Sequence, residues 1–308
     1  MSVTDPSTVA DESIGGAPDD RAAAATSGPA RGIVNALSID VEDYFQVSAF
    51  DRCISRDSWE QRQCRVEENV ERILALLASS GARATFFTLG WIAERHPRVV
   101  HRILEGGHEL ASHGYAHVRA SEQGYGEFLA DLRLAKAVLE DIACCEVTGY
   151  RAPSFSIGPQ NDWAFDCIAE AGYRYSSSVY PIRHDHYGAP NAPRFAYMPT
   201  PELLEVPVTT VRALNANWPA GGGGYFRLLP YCLSRWSIRR VNEVDGQPAI
   251  FYFHPWEIDP DQPRVDGAEP RARFRHYLNL RRMHGRLRRL LGDFSWDRVD
   301  RVFLGRAA

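Results

Sequence analysis

Two histidines four apart, His113 and His117 in the stretch SHGYAH, can face one metal ion from a helical turn or a tight loop. Gly114 stands where an HExxH metalloprotease carries its glutamate base, so a base must come from elsewhere. Three carboxylates, Asp40, Glu42 and Asp43 in SIDVEDYF, crowd the end of an apolar run, and acidic side chains are seldom buried without a partner. One of them with the two histidines makes three protein ligands and leaves a position open for water, the arrangement of a catalytic zinc site. In YRAPSFS, Arg151 can hold a carboxylate ionised and oriented, and behind Pro153 the N–H of Ser154 is free to face an oxyanion. His254, in FYFHPWE, brings an imidazole whose ordinary pKa of about 6.5 suits a general acid near neutrality. Together these residue types point to metal-assisted hydrolysis.

Each group follows a strand candidate. IVNALSIDV, ATFFTLG, residues 108–112, VTGYRAP, YRYSSSVY, LLEVPVTTV and AIFYFHPWEI are short and rich in β-branched, aromatic or leucine residues. Between them lie helical patterns. Val66, Val70, Ile73, Leu74 and Leu77 share one face, with Gly81 as a stop, and Phe128, Leu132, Ala135, Leu139 and Ile142 share another. Shorter helices are expected around Pro97–Leu104 and Trp163–Ala169. Strands alternating with helices predict a parallel α/β fold, here a distorted (β/α) barrel of about seven parallel strands with a C-terminal extension. In such folds ligands gather at the carboxyl ends of the strands, where all four groups fall.

The remaining composition narrows the class. A formal net charge of -4 excludes a basic whole-molecule field, so no nucleic acid is expected. Six cysteines without a CxxC pair fit neither a zinc ribbon nor a disulfide framework. No run reaches the roughly 18 apolar residues of a membrane span, and the first residues lack the apolar core of a signal peptide, so a cytoplasmic protein is expected. Residues 1–31 read as a disordered tail, 32–260 as the catalytic domain and 261–308 as a helical extension. Eight arginines between Arg271 and Leu291 accompany Tyr277, Leu280, Met283, Leu287 and Leu290 at helical spacing. One docked helix is expected there, with a peripheral contact to the inner membrane surface as the other use of its charge. Gly221–Gly224 reads as a mobile loop bordering the site, and Tyr44, Phe45, Phe155, Trp218, Tyr225 and Trp256 are aromatics near the motifs that could stack on a ligand.

In this order the motifs resemble the polysaccharide deacetylase family with the NodB homology domain, over roughly Ile33 to Glu257. DVEDYFQV, SHGYAH, RAPSFSI and GGGYFRLLPY are similar to the subgroup encoded with bacterial exopolysaccharide export and exosortase loci, whose additional C-terminal region would begin near Pro201. The resemblance implies a distorted barrel, one divalent metal ion, often zinc, and removal of N-acetyl groups from an amino-sugar polysaccharide or oligosaccharide. It implies Asp40 as the base, His113 and His117 as metal ligands, Arg151 as the group orienting the base, His254 as the acid and the Ser154 N–H as an oxyanion donor. Two departures stand out. The family pattern places two adjacent aspartates in the first motif, but Val41 follows Asp40. Either Glu42, which shares a strand face with Asp40, or Asp43, if the chain turns at once, must supply the third ligand. The family also often carries an aspartate that tunes the acid histidine, and Ser176, Ser177 and Ser178 occupy the matching stretch. A small-molecule amidohydrolase on the same fold and a carbohydrate-binding protein without catalysis are the competing readings.

Overall fold

The apolar runs become the strands of one curled sheet, and the helical-period stretches return the chain across it. The computed structural model describes residues 32–184 and 188–305, so the tail expected over 1–31 lies outside the described residues. The strands are β1 (Val34–Val41), β2 (Thr85–Thr88), β3 (Glu109–Ser112), β4 (Gly149–Tyr150), β5 (Tyr175–Ser176), β6 (Tyr197–Thr200), β7 (Leu203–Glu205), β8 (Thr210–Ala213), β9 (Ala216–Pro219), β10 (Ile250–Phe253) and β11 (Ser295–Asp297). The main sheet runs β10-β1-β2-β3-β4-β5-β7-β6, with β11 also on β1, and β8 and β9 form a separate hairpin. From β10 to β7 every pairing is parallel, which accounts for the seven expected strands, and β11 adds an eighth parallel strand on β1, whereas β6 returns antiparallel on β7.

This sheet curls into a half-barrel, and loop backbone bridges the opening. Val208 N–H donates to Val179 O (2.9 Å), Ala220 N–H to Thr209 O (3.1 Å) and Tyr252 N–H to Gly221 O (2.7 Å). That seam needs a glycine: a Cβ on Gly221 would stand 2.4 Å from Ile250 O. Gly221–Gly224 is therefore a packed seam leading into a helix, not the open loop expected from its composition.

The helices are α1 (Val66–Ser80), α2 (Gly90–Arg95), α3 (Pro97–Glu105), α4 (Tyr125–Ala143), α5 (Ala164–Glu170), α6 (Gly223–Leu228), α7 (Tyr231–Glu243), α8 (Pro270–Tyr277), α9 (Leu280–Asp293) and α10 (Val299–Leu304). The stretch expected as one helix over 271–291 breaks at Asn279, which adopts φ 55° and donates its Nδ2 to Arg227 O at 2.9 Å. On β1 the side chains alternate. Leu37, Ile39 and Val41 pack outward in a core shared with Val70 and Ile73 of α1 and with Leu287 and Leu290 of α9. Ala36, Ser38 and Asp40 point to the other face, where Ala36 joins Phe87, Ala111 and Tyr175. α10 closes the end where the strands begin: Val299 N–H donates to Thr85 Oγ1 (2.8 Å) and Asp300 N–H to Glu109 Oε2 (3.2 Å). The opposite end is left for the functional groups.

Candidate metal and catalytic site

Among the described residues, Glu42, His113 and His117 form a buried group whose ligand atoms all lie within 4.8 Å of one another. Each comes from the carboxyl end of a strand of the main sheet, β1 or β3, the two that flank β2. Glu42 follows β1, and His113 and His117 follow β3 in a tight turn. The turn is held from both sides: Arg56 donates to Ala116 O (2.8 Å) and His117 O (3.0 Å), and Tyr115 N–H reaches Asp131 Oδ1 (3.3 Å). His117 adopts φ 54°, a left-handed conformation that this clamp maintains.

The donor set suits a divalent ion. Glu42 Oε2 lies 2.8 Å from His117 Nε2, yet that oxygen finds no hydrogen-bond partner, as expected of two atoms aimed at a shared cation. His113 donates Nδ1–H to Arg151 O at 2.8 Å, which leaves the Nε2 lone pair for a metal. Burial lowers the His113 pKa to about 4, so the ring is in its neutral, ligating form. Burial pushes Glu42 up, but His117 and His254 more than reverse that and its carboxyl falls to about 2. Asp43, the other candidate for third ligand, is not part of the group. Its Oδ1 accepts Tyr44 N–H (2.8 Å) and its Oδ2 accepts Val66 N–H (2.9 Å) and the Cys64 thiol (3.1 Å), so this carboxylate caps the start of α1.

Beside the ligands stands a second carboxylate system. Arg151, fully buried, donates Nη1 to Asp40 Oδ1 (2.6 Å) and Ser38 Oγ (2.9 Å). The serines that replace the expected aspartate hold this arginine: its Nε reaches Ser177 O (3.0 Å), its Nη2 reaches Ser177 Oγ (2.9 Å), and Ser178 Oγ accepts Ala152 N–H (2.9 Å). Glu205, at the end of β7, fixes their loop by accepting the N–H groups of Ser178 (2.8 Å) and Val179 (2.9 Å). Ser154 follows on a left-handed turn, φ 57°, with its Oγ 2.7 Å from Ser48 Oγ.

His254 completes the cluster at the end of β10. Its Nε2 lies 3.3 Å from Glu42 Oε1 and 3.9 Å from Asp40 Oδ2, and with a side chain 19% exposed it is the most open group of the set. The orienting carboxylate that the serines could not supply comes from Glu257. Its Oε1 is 2.7 Å from His254 Nδ1, and its Oε2 accepts Arg227 Nε at 2.7 Å. Burial pulls the His254 pKa down, but Glu42, Glu257 and Asp40 outweigh it and raise the ring to about 9. Glu257 and Arg227 were not singled out in the sequence; the i, i+3 spacing of His254 and Glu257 in HPWE was the available signal. A Cβ on Gly223, the first residue of α6, would lie 2.3 Å from Glu257 Oε1, which explains the glycine there. Trp256 packs between His254 (5.1 Å) and His276 (4.1 Å) and donates Nε1–H to Glu42 Oε1 (3.3 Å). Tyr44, Phe45 and Phe155 are buried like Trp256, Tyr225 is half-buried, and only Trp218 among these aromatics is well exposed.

The polysaccharide deacetylase family model matches residues 48–176, which include His113, His117, Arg151 and Ser154. A domain of unknown function, DUF3473, matches residues 177–304, which include Arg227, His254 and Glu257. Two Bacillus cereus proteins, each named peptidoglycan-N-acetylglucosamine deacetylase, align with the chain. One is 33% identical over 103 residues, 33% of this chain and 46% of the relative. The other is 32% identical over 95 residues, 31% of this chain and 32% of the relative. The aligned part thus spans less than half of either. A crystal structure of a candidate polysaccharide deacetylase from Mycobacterium smegmatis superposes with a TM-score of 0.54 at 19% identity, covering 87% of this chain and 85% of that one, a likeness of fold. The family and curated matches support the polysaccharide deacetylase family.

Proposed function

We propose that the chain is a metal-dependent deacetylase of that family, hydrolysing the N-acetyl group of an amino sugar in a polysaccharide or oligosaccharide. The observation that carries this reading is the meeting, at one end of the half-barrel, of a buried Glu–His–His ligand set with an Asp40–Arg151 pair and a Glu257-held histidine. Two relatives named for N-acetylglucosamine deacetylation support the sugar, and the wording of DVEDYFQV and GGGYFRLLPY favours a substrate of bacterial exopolysaccharide production.

Two imidazoles and one carboxylate suit zinc, and an ion held by Glu42, His113 and His117 would polarise the amide carbonyl and acidify water. Arg151 engages Asp40 Oδ1, leaving Oδ2 to take the proton of the attacking water. The Ser154 N–H is assigned to the oxyanion formed as water adds to the carbonyl carbon. His254 Nδ1 is committed to Glu257, so the proton for the departing amine leaves from Nε2. The C–N bond breaks, the sugar departs as a free amine, and the acyl group leaves as acetate. Loss of catalysis is the less economical reading, because the Asp40–Arg151 pair and the histidine relay are both intact.

Incubating the protein with zinc and an N-acetylglucosamine oligomer, followed by mass spectrometry, tests this. Oligomers lacking one or more acetyl groups are expected from the wild type and not from Asp40→Asn. Cleavage of a cyclic amide or ureide with the oligomer untouched would move the protein to the small-molecule amidohydrolases, and oligomer binding with no product of either kind would leave a binding protein.

A further inference from the structure

A surface away from the site is not used by the deacetylation chemistry. α7 and α9 lie side by side: Tyr231 OH donates to Asp293 Oδ2 (2.6 Å), Arg235 pairs with Asp293 (3.0 Å) and the Arg289 guanidinium lies 4.5 Å from the Tyr231 ring centre. Arg286 donates to Leu229 O (3.0 Å), which ties α9 to the end of α6 as well. Each helix buries one face, with Ile238 and Val241 on α7 and Met283, Leu287 and Leu290 on α9.

The outward faces combine two features that water alone does not favour. Leu228, Leu233 and Trp236 are exposed by 51%, 46% and 50%, large apolar side chains on adjoining turns of α6 and α7. α7 also carries Arg235, Arg239 and Arg240, of which Arg235 pairs with Asp293 (3.0 Å) and Arg239 with Glu243 (3.5 Å), and α9 carries Arg281, Arg282, Arg288 and Arg289, with no acidic residue between Leu280 and Gly292. Among the described residues Arg281, Arg282 and Arg288 take part in none of the ion pairs. A chain of net charge -4 thus carries a run of exposed arginines on α9, beside an α7 that exposes Leu233 and Trp236.

We propose that the α6–α7–α9 face docks on a bilayer containing anionic phospholipid. Charge complementarity selects the occupant: arginines pair with lipid phosphates, while Trp236, Leu233 and Leu228 enter the headgroup boundary, where an amphipathic ring is favoured. A soluble polyanion would engage the arginines and leave the three apolar side chains in water. α6 joins this face to the site, since its Arg227 holds Glu257 and its last residue is Leu228.

Sedimentation of the full chain with vesicles of phosphatidylglycerol and phosphatidylcholine, against vesicles of phosphatidylcholine alone, tests the proposal. Binding to the anionic vesicles only is expected, with loss at high salt. Arg282→Glu combined with Arg288→Glu should weaken partitioning on the order of tenfold or more. Trp236→Ser should weaken it several-fold even at low salt, and unchanged thermal melts would show that both variants keep the fold. No binding to anionic vesicles overturns the proposal. Binding indifferent to Trp236→Ser and fully displaced by dextran sulfate overturns it too, and assigns the arginines to a soluble polyanion.

Discussion

Glu42 and Asp43 are neighbours, yet one peptide unit sends the first carboxylate to the histidines and the second to the start of α1. Their substitutions should therefore separate. Glu42→Gln is expected to lose bound metal, measured as metal per mole of purified protein, while Asp43→Ala keeps the metal and loses about 0.5–2 kcal/mol of unfolding free energy as a helix cap. Glu257→Gln keeps the side chain's shape but removes the charge facing His254 and Arg227, and activity should fall on the order of tenfold to a hundredfold with metal content unchanged. A Glu257→Gln variant with full activity would show that the relay does not serve the acid. Asp40, His113, His117, Arg151 and His254 were legible because each stands in a local pattern at a strand end. The choice between Glu42 and Asp43 was not, since the turn after β1 decides it. Nor were Arg227 and the support from Ser177, whose partners lie 30 and 26 residues away in the chain.

β3 begins with Glu109, whose side chain lies buried at the closed end of the half-barrel. Tyr175 OH donates to it at 3.0 Å and Asp300 N–H at 3.2 Å, and the Thr85 hydroxyl also donates. Burial, with the Asp300 charge adding to it, raises its pKa to about 8. An unfolded glutamate titrates near about 4.3. The folded state thus keeps a proton that the unfolded chain gives up, so the stability from this group is complete below about pH 4 and declines as pH climbs to about 8. Thermal melts across that range should show the decline, and Glu109→Gln should flatten it; an equally steep dependence in the variant would assign the slope to other groups. The long elements, β1, α1 and α4, were readable from periodicity alone. α2 was missed because Gly90–Arg95 follows β2 with no polar break, and the arginine-rich helix is divided at Asn279, whose backbone is left-handed and whose side-chain Nδ2 donates to Arg227 O. β4 and β5 pair over only two residues each, because the chain leaves the sheet there to form the loops carrying Arg151 and Ser177.

At the scale of the molecule, the two family matches meet at residues 176 and 177, at the end of β5 and inside a single sheet. The second segment supplies β10 and β11, which both pair with β1, as well as His254, so it completes the half-barrel rather than following it. The described residues between 33 and 305 accordingly pack as one unit, with Leu287 of α9 in the same core as Leu37 and Phe251. Leu287→Ala should lower the unfolding free energy by about 2–5 kcal/mol within a single cooperative transition. Two separate transitions would mean that the arginine-rich region folds independently. The parallel α/β plan was visible in the spacing of the strand candidates, but the backbone seam through Gly221 was not, because no residue pattern encodes an irregular closure. The whole arrangement converges on one ligand set, and acetate release from an N-acetylglucosamine oligomer before and after removal of metal tests it most directly. Release should fall to background in protein dialysed against a chelator and return with one equivalent of zinc in the wild type but not in His113→Ala. Undiminished release from metal-free protein would contradict the account.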